Sequence, residues 1–304
     1  MTLLVADVGG TNTRVALDGG GRPTALRHFD NDDFDSLPDV LRAYRAAQAD
    51  LKIDACVIAI AGPVEGERGQ LTNRNWHVDL DQIKMGLGCD SAKLLNDLAA
   101  LGHALAQLPS DACMPIQTDT SKAHRNGQSL VVGIGTGFNL CPVIALPGHS
   151  AQCLAVEAGH TSLPRPVTDH LPFASEFATA EDLFSGRGFA RLHALHNPSA
   201  TLSGRQIVEA HRAGTDPTAT SVLTQYVDLL GRFCAELTLQ YMPLEGIYFA
   251  GSVARGILSA DMHAVLRRNH GNGGRLGNLL ARIPISLILD DAAALYGCIA
   301  AAER

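Results

Sequence analysis

The sequence predicts a mixed α/β protein with two domains, and three observations support this prediction. Val57–Ala61 is an uninterrupted apolar run, which is typical of a strand buried on both faces of a sheet. Apolar runs alternate with amphipathic helical patterns along the chain, which indicates α/β layers and excludes a helical bundle. The length of 304 residues corresponds to two domains of about 150 residues each.

The composition excludes several classes of function. The formal net charge of −7 disfavours nucleic-acid binding, and 5% aromatic residues is low for a base-stacking surface. The longest apolar run, Ala55–Ala61, is too short to cross a bilayer, and Asp7 interrupts the first apolar run before a signal peptide can form. Seven cysteines without a C-x-x-C pair are typical of reduced thiols. We therefore expect a cytoplasmic protein with no nucleic-acid partner and no membrane span.

Strand and helix patterns follow each other along the chain. The predicted strands are apolar or β-branched runs: Leu3–Ala6, Arg14–Leu17, Thr24–Phe29, Val57–Ala61, Lys93–Leu95, Ser129–Ile134, Leu140–Leu146, Gln152–Val156, Glu245–Ala250 and Ile285–Leu289. The predicted helices have an apolar face or recognisable ends: one starting after Ser36, then Leu80–Leu87, Leu98–Leu108, Ala180–Phe184, Gly188–His196, Ser203–Arg212, Thr218–Tyr241 and Ala292–Ala302. Residues 109–128, at the domain boundary, and the basic segment 267–275 are predicted as loops.

A turn of small residues, Asp7-Val8-Gly9-Gly10-Thr11-Asn12-Thr13-Arg14, joins the first two strands. Glycines let backbone N–H groups approach a ligand, and successive N–H groups in a turn form a concavity that binds anions. Thr11 can add a hydroxyl group, and Asp7 can hold a hydrated magnesium ion. The alternative is an ordinary hairpin with a surface aspartate.

The second half of the chain repeats this construction. Gly135-Thr136-Gly137 lies between the predicted strands Ser129–Ile134 and Leu140–Leu146. The repetition favours two turns that bind a polyphosphate from both sides. A further turn, Gly251-Ser252, can accommodate an adenosine, and the alternative there is a plain turn between a strand and a helix.

Polar residues also follow two other predicted strands. Asn96-Asp97 comes after Lys93–Leu95, at a strand end where open α/β sheets bind ligands, although an aspartate there is often only a helix cap. Glu157-Ala158-Gly159-His160 follows Gln152–Val156 and favours recognition of ligand hydroxyl groups. Metal binding by His160 with His193 and His196 is the weaker alternative, because no cysteine supports that set.

Taken in order, these blocks resemble bacterial glucokinases of the non-zinc group, which belong to the actin, sugar-kinase and heat-shock-ATPase superfamily. Asn73-Arg74-Asn75-Trp76, Glu181–Gly186 and Phe249–Ser252 are weaker similarities. The resemblance implies a two-domain actin/hexokinase-like (ribonuclease H-like) fold with a ligand cleft between the domains. It also implies a small domain of residues 1–108 joined by the C-terminal helix 290–304, and a large domain of residues 109–289.

The same resemblance implies a role for each matching residue. Asp97 corresponds to the catalytic base, and Asn96, Glu157, His160 and Glu181 correspond to glucose ligands, with Asp182 as an alternative to Glu181. The phosphate-binding residues are implied to be Asp7, Gly9, Gly10, Thr11, Asn12, Gly135, Thr136 and Gly137, with Gly251 near adenosine. No metal is implied to bind the protein directly: Mg²⁺ is carried by ATP, with a contact to Asp7 through water. A homodimer is also implied.

Three residues depart from the family pattern: Ala158, Asn139 and Ser252. A sugar sensor on the same fold would lack the base or the phosphate turns, and a chaperone-like or actin-like ATPase would lack the Asn96-Asp97 and Glu157/His160 pairs. A site built to hydrogen-bond a hydroxyl group rejects ligands without it. We therefore expect ATP-dependent phosphorylation of the 6-hydroxyl group of glucose, and the alternatives are a kinase for another hexose or the sensor.

Overall fold

The computed structural model describes residues 1–48, 51–119, 125–272 and 274–302. Residues 120–124 of the predicted 109–128 loop, residue 273 of the predicted 267–275 loop and residues 303–304 of the predicted C-terminal helix lie outside this range. The chain forms two compact units. The first contains Met1–Ala112, Ser150–Cys153 and the chain from Asp290 onward, and the second contains Cys113–His149 and Leu154–Leu289.

Strands and helices alternate as the sequence predicts. The N-terminal segment contains β1 (Leu3–Val8), β2 (Asn12–Asp18), β3 (Pro23–Asp30), α1 (Leu37–Ala46), β4 (Ala55–Ile60), β5 (Val64–Glu65), β6 (Arg68–Gln70), β7 (His77–Asp79), α2 (Leu80–Leu87), β8 (Ser91–Asn96) and α3 (Asp97–Ala104). It is followed by β9 (Cys113–Gln117), β10 (Gln128–Ile134), β11 (Phe138–Ile144), β12 (Gln152–Cys153), α4 (Arg165–Thr168), α5 (Ala180–Phe184), α6 (Gly186–His196), α7 (Gly204–Ala213) and α8 (Pro217–Tyr241). The remaining elements are β13 (Gly246–Ala250), α9 (Ser252–Ile257), α10 (His263–His270), α11 (Gly277–Leu280), β14 (Ile285–Ile288) and α12 (Ala293–Ala300).

The main sheet of the first unit has the strand order β3-β2-β1-β4-β8. Strand β1 is antiparallel to β2, whereas β4 and β8 run parallel to β1. Val8 pairs with Ile60 of β4, and Ile60 pairs with Asn96 of β8. Because neighbouring strands are only about 4.8 Å apart, the carboxyl ends of β1, β4 and β8 lie side by side at one edge of the sheet.

Both faces of this sheet are buried, which explains the continuous apolar runs. Leu4 and Val8 of β1 belong to the core formed with α1 and α2, whereas Leu3 and Val5 belong to the core formed with α12. Alternate side chains of a strand point to opposite faces, so one strand contributes to both cores. All six residues of β4 are buried.

Within the second unit the strands run in the order β11-β10-β13-β14-β9. Strands β10 and β11 form an antiparallel hairpin, and β13 runs parallel to β10, as β4 does to β1. Phe138, the first residue of β11, packs on Phe184 of α5 and Phe233 of α8 at centroid distances of 5.8 and 5.7 Å. Phe184 and Phe233 are stacked 4.9 Å apart. This aromatic cluster holds the end of the Gly135–Gly137 turn in place.

Three sequence predictions of secondary structure are wrong. The predicted 109–128 loop contains β9, in which only Ile116 and Gln117 are buried, so the sequence shows no alternating pattern. The predicted basic loop begins with the last turn of α10, whose Leu266 and His270 are buried. The strand predicted for Gln152–Val156 covers Gln152–Cys153 only. The small sheet β5-β6-β7 was also not predicted, because strands of two or three residues show no periodicity.

No helix in the part of the chain that the structure describes is both long and apolar enough to cross a membrane.

Helix α12 approaches α3 closely at Gly297. A Cβ atom there would lie 1.6 Å from the carbonyl oxygen of Ala100, so Gly297→Ala requires the two helices to separate. We expect this overpacking to lower the free energy of unfolding by about 1–3 kcal/mol. Urea unfolding followed by the fluorescence of Trp76, the only tryptophan of the chain, measures this in the first unit.

Gly86 is the matched control, because it lies in α2 of the same unit and a Cβ atom there would contact nothing within 4 Å. Gly86→Ala should raise the free energy of unfolding by about 0.5–1 kcal/mol, since alanine loses less backbone entropy in a helix. Equal effects of the two substitutions would contradict the close helix contact.

Candidate active site

The Gly9–Asn12 turn is held through its carbonyl groups. The Asn31 side-chain amide donates to the Gly9 oxygen at 2.9 Å, Arg74 Nε donates to the Gly10 oxygen at 3.1 Å, and the Asn31 backbone N–H donates to the Thr11 oxygen at 2.8 Å. In a planar trans peptide, the N–H group points opposite to the carbonyl that precedes it. The N–H groups of Gly10 and Thr11 therefore face away from Asn31 and Arg74, as an anion-binding turn requires.

Asn31 and Arg74 are themselves fixed. Asn31 is fully buried, and its side-chain oxygen accepts a hydrogen bond from the Thr13 hydroxyl at 2.7 Å. Arg74 also donates to the Asn31 carbonyl at 3.0 Å, forms an ion pair with Asp32 and lies 4.9 Å from the ring centroid of Trp76. The sequence analysis missed both as functional residues. Arg74 lies in the weak similarity Asn73–Trp76, and no sequence pattern singled out Asn31 as functional.

Asn96, and not Asp97, is the residue that caps α3. Its side-chain oxygen accepts the N–H of Leu98 at 3.0 Å, and its amide nitrogen donates to the Gly62 carbonyl at 3.1 Å. Asp97 is the first residue of the helix and its carboxylate also accepts the Leu98 N–H, at 2.9 Å. Capping of α3 therefore does not depend on Asp97 alone, because Asn96 accepts the same N–H group.

Burial raises the pKa of Asp97 to about 7, and the negative charge of Asp7 acts in the same direction. Burial also raises the pKa of Asp7, although Arg14 Nη1, 3.2 Å from Asp7 Oδ2, opposes this shift. Asp291 adds a further negative charge near Asp7. A carboxyl group that titrates near neutral pH is suited to accept a proton from a hydroxyl group.

The donor set beside the turn fits a magnesium ion that arrives with a phosphate ligand. Mg²⁺ is commonly bound through one or two carboxylates together with substrate phosphates, and Asp7 has one oxygen engaged by Arg14. In the described ranges, no three or more His, Cys, Asp or Glu side chains come together as a metal site.

In the second unit, the Gly135–Gly137 turn contacts the start of α6 and Glu181 of α5. The Gly186 N–H donates to the Gly135 carbonyl at 2.9 Å, and Glu181 Oε2 accepts the Phe138 N–H at 2.9 Å. A Cβ atom at residue 137 would lie 2.5 Å from Glu181 Oε2, which explains the glycine. The turn and the predicted sugar ligand Glu181 therefore lie in direct contact.

Gly251 directly follows β13, which pairs with β10, the strand that precedes the Gly135–Gly137 turn. Its φ of +101° favours glycine, and a Cβ atom there would lie 2.3 Å from the Ile134 carbonyl oxygen, directly before the turn. Ser252 is the first residue of α9. The structure thus brings Gly251 next to Ile134, the residue that precedes the Gly135–Gly137 turn.

The Glu157–His160 segment is a short 3₁₀ turn held by Asn139. The Asn139 amide donates to the Val156 carbonyl at 2.9 Å and to Glu157 Oε2 at 3.1 Å, and its oxygen accepts the Ala158 N–H at 3.0 Å. Ala158 is buried, whereas Glu157 and His160 are exposed. Asn139, a departure from the family pattern, therefore orients the Glu157 carboxylate.

Glu181 and Asp182 make different contacts. The Asp182 carboxylate accepts the Thr179 N–H at 2.9 Å and forms a capping box at the start of α5. This helix-capping contact favours Glu181 over Asp182 as the candidate ligand.

The rings of His193 and His196 make separate contacts, with Asp216 at 3.4 Å and Gln225 at 2.9 Å. These contacts do not support the metal alternative.

The raised pKa of Asp97 predicts a dependence of stability on pH. The folded protein binds this proton more tightly than the unfolded chain, whose aspartates titrate near 3.8, so wild-type stability falls as the pH rises towards 7. We expect Asp97→Asn, which keeps an acceptor for Leu98, to stabilise the protein more at pH 8 than at pH 5. Urea unfolding monitored by Trp76 measures the difference.

Asp54→Asn provides a control of opposite sign. The Thr2 N–H, 2.7 Å away, and Lys52 lower the pKa of Asp54, so its carboxylate is ionised at both pH values. This substitution should destabilise the protein by similar amounts at pH 5 and pH 8. An effect of Asp97→Asn that is equal at both pH values would contradict the raised pKa.

Comparisons with known protein families, sequences and crystal structures give matches over nearly the whole chain. The family model for Glucokinase matches residues 4–304. The glucokinase of Nitrobacter hamburgensis is 32% identical over 311 residues, which cover 97% of this chain and 95% of that protein. The crystal structure of a glucokinase from an Antarctic psychrotroph has a TM-score of 0.84 at 27% identity and covers 98% of both chains.

A ROK family glucokinase from Streptomyces griseus, solved in complex with glucose and AMPPNP, has a TM-score of 0.67 at 18% identity and covers 98% of both chains. At that identity the likeness shows the fold alone. The predicted actin-like sugar-kinase fold is confirmed by these neighbours. The match over residues 4–304 shows that this chain belongs to the glucokinase family.

Proposed function

We propose that this protein transfers the terminal phosphoryl group of ATP to the 6-hydroxyl group of glucose. The observation that carries the proposal is the position of Asp97, a carboxyl group with a pKa of about 7, at the same sheet edge as the Gly9–Asn12 turn. Asp97, which follows β8, supplies the base. The turn after β1, two strands away in the same sheet, supplies N–H groups for phosphate. Membership of the glucokinase family supports glucose as the acceptor.

The two glycine turns are the proposed phosphate-binding elements. The first turn consists of Gly9, Gly10, Thr11 and Asn12, and its Gly10 and Thr11 N–H groups point away from Asn31 and Arg74, which engage the preceding carbonyls. The Gly9 N–H donates to the Asn12 carbonyl at 2.9 Å and closes the turn. Gly135, Thr136 and Gly137 bind phosphate from the second unit, and Gly251 lies near adenosine. Asp7 would hold, through water, the Mg²⁺ that ATP carries, and this ion would supply positive charge against the charge that develops on the phosphates.

The proposed hexose ligands are Asn96, Glu157, His160 and Glu181. Asn139 supports this assignment of Glu157 because it fixes that carboxylate from one side. Carboxylate and imidazole groups that hydrogen-bond hydroxyls discriminate strongly against sugars whose hydroxyls are missing. A kinase for another hexose is the alternative, because epimers differ only in the position of one hydroxyl group.

Asp97 acts on the acceptor hydroxyl. Phosphoryl transfer passes through a loose transition state, so the protein mainly positions groups and stabilises charge. The Asp97 carboxylate orients the 6-hydroxyl and accepts its proton as the bond to phosphorus forms. We also propose, from the resemblance, a role in glycolysis in the cytoplasm and a homodimer.

Replacing Asp97 tests this function. We expect Asp97→Asn to lower kcat by about 10²–10⁴-fold, as is typical for loss of a positioned base, while glucose still binds. Steady-state kinetics with a coupled ADP assay and calorimetric titration of glucose measure the two quantities.

Asp54→Asn is the matched control and should keep the wild-type kcat. Because Asp97→Asn is expected to be more stable than the wild type at pH 8, its inactivity would not result from unfolding. Wild-type turnover by Asp97→Asn would refute the role of Asp97 as the base.

A further inference from the structure

Arg187, in the first turn of α6, forms an ion pair with Glu181, whose carboxylate the proposed function needs as a hexose ligand. Its Nη2 atom lies 3.1 Å from Glu181 Oε1, while Glu181 Oε2 accepts the Phe138 N–H at 2.9 Å. Both oxygens of this proposed hexose ligand are therefore engaged within the protein. The Arg187 side chain is 71% exposed and the Glu181 side chain 27%.

The two neighbours of the Arg187 guanidinium group, the residue before it in the chain and its ion-pair partner Glu181, both contact the Gly135–Gly137 turn. Gly186, the residue before Arg187, donates its N–H to the Gly135 carbonyl at 2.9 Å. Glu181 Oε2 touches the other end of this turn, at Phe138. The Glu181 carboxylate thus links Arg187 to the backbone that is proposed to bind phosphate.

The present partner of Arg187 is easily exchanged. The Arg187 side chain is 71% exposed, so water competes with Glu181 for its guanidinium group, and an ion pair with an exposed partner contributes little to stability. A phosphate offers a guanidinium group two parallel charge-assisted hydrogen bonds, which are stronger. A phosphate bound at the turn would therefore compete successfully with Glu181 for Arg187.

We propose that Arg187 is a phosphate-binding residue that moves from Glu181 to ATP and thereby frees Glu181 Oε1 for a hexose hydroxyl. This inference rests on the proposed function, because it takes ATP and hexose as the ligands. It predicts that the two substrates strengthen each other's binding. Linkage requires the effect to be equal in both directions.

Arg187→Ala separates this role from a structural one. We expect its affinity for Mg²⁺–AMPPNP to fall roughly tenfold to hundredfold, the range for loss of a charged hydrogen bond. Its affinity for glucose without nucleotide should stay equal or rise, because Glu181 is already free. Calorimetric titrations of each ligand, with and without the other, give all four dissociation constants.

Arg191 provides the control, because it lies one turn further along α6 and pairs with Glu176 at 2.6 Å at 50% exposure. Arg191→Ala should leave the four dissociation constants unchanged. Arg187→Lys, which keeps the charge but loses the bidentate geometry, should fall between the wild type and Arg187→Ala.

Three results would overturn the proposal. One is wild-type affinity of Arg187→Ala for AMPPNP. Another is a mutual enhancement by AMPPNP and glucose that persists in this variant. A parallel loss of both affinities would indicate a structural role and would also overturn it. Failure of the proposed function is a separate result: the wild type would then release no ADP with glucose, whatever Arg187→Ala does to AMPPNP binding.

Discussion

The Gly9–Asn12 turn depends on two side chains that reach it from distant parts of the first unit. Asn31 and Arg74 donate hydrogen bonds to the carbonyl groups of Gly9, Gly10 and Thr11. The N–H groups of the same peptide planes therefore point away from Asn31 and Arg74. Glycine alone would leave this backbone with many conformations. The hydrogen bonds from Asn31 and Arg74 select one of them, and stacking on Trp76 in turn restrains Arg74.

The register of the parallel strands places the proposed base, Asp97, at the same end of the sheet as this turn. Val8, Ile60 and Asn96 align across β1, β4 and β8, so the carboxyl ends of these three strands lie at the same end of the sheet. Two carboxylates, Asp7 and Asp97, are then buried near each other, and both pKa values rise. This arrangement costs stability above neutral pH, yet it gives Asp97 the proton affinity that a general base requires. Stability and function thus make opposite demands on one residue.

Much of this site could be predicted from the sequence. The glycine turns, Asn96-Asp97 and Glu157–His160 are local patterns. The positions of the glycine turns and of Asn96-Asp97 at strand ends follow from short apolar runs, whereas Glu157 lies beyond a strand that ends at Cys153. The contacts of Asn31, Arg74 and Asn139 join residues far apart in sequence, so no local pattern reveals them. The sequence also left Glu181 and Asp182 as alternatives, and the capping box of Thr179 with Asp182, which favours Glu181, is visible only in the structure. Strand β9 was missed because an edge strand with a proline has little apolar alternation.

The most direct test of the account is the release of ADP by the wild-type protein with and without hexose, combined with identification of the phosphorylated product by ³¹P NMR. We expect very slow ADP release from Mg²⁺–ATP alone. Addition of glucose should give rapid release, with one glucose 6-phosphate formed for each ADP. Rapid ADP release with inorganic phosphate and no hexose would instead indicate a chaperone-like ATPase. Glucose binding without any ADP release would indicate a sugar sensor, and either result would contradict the assignment.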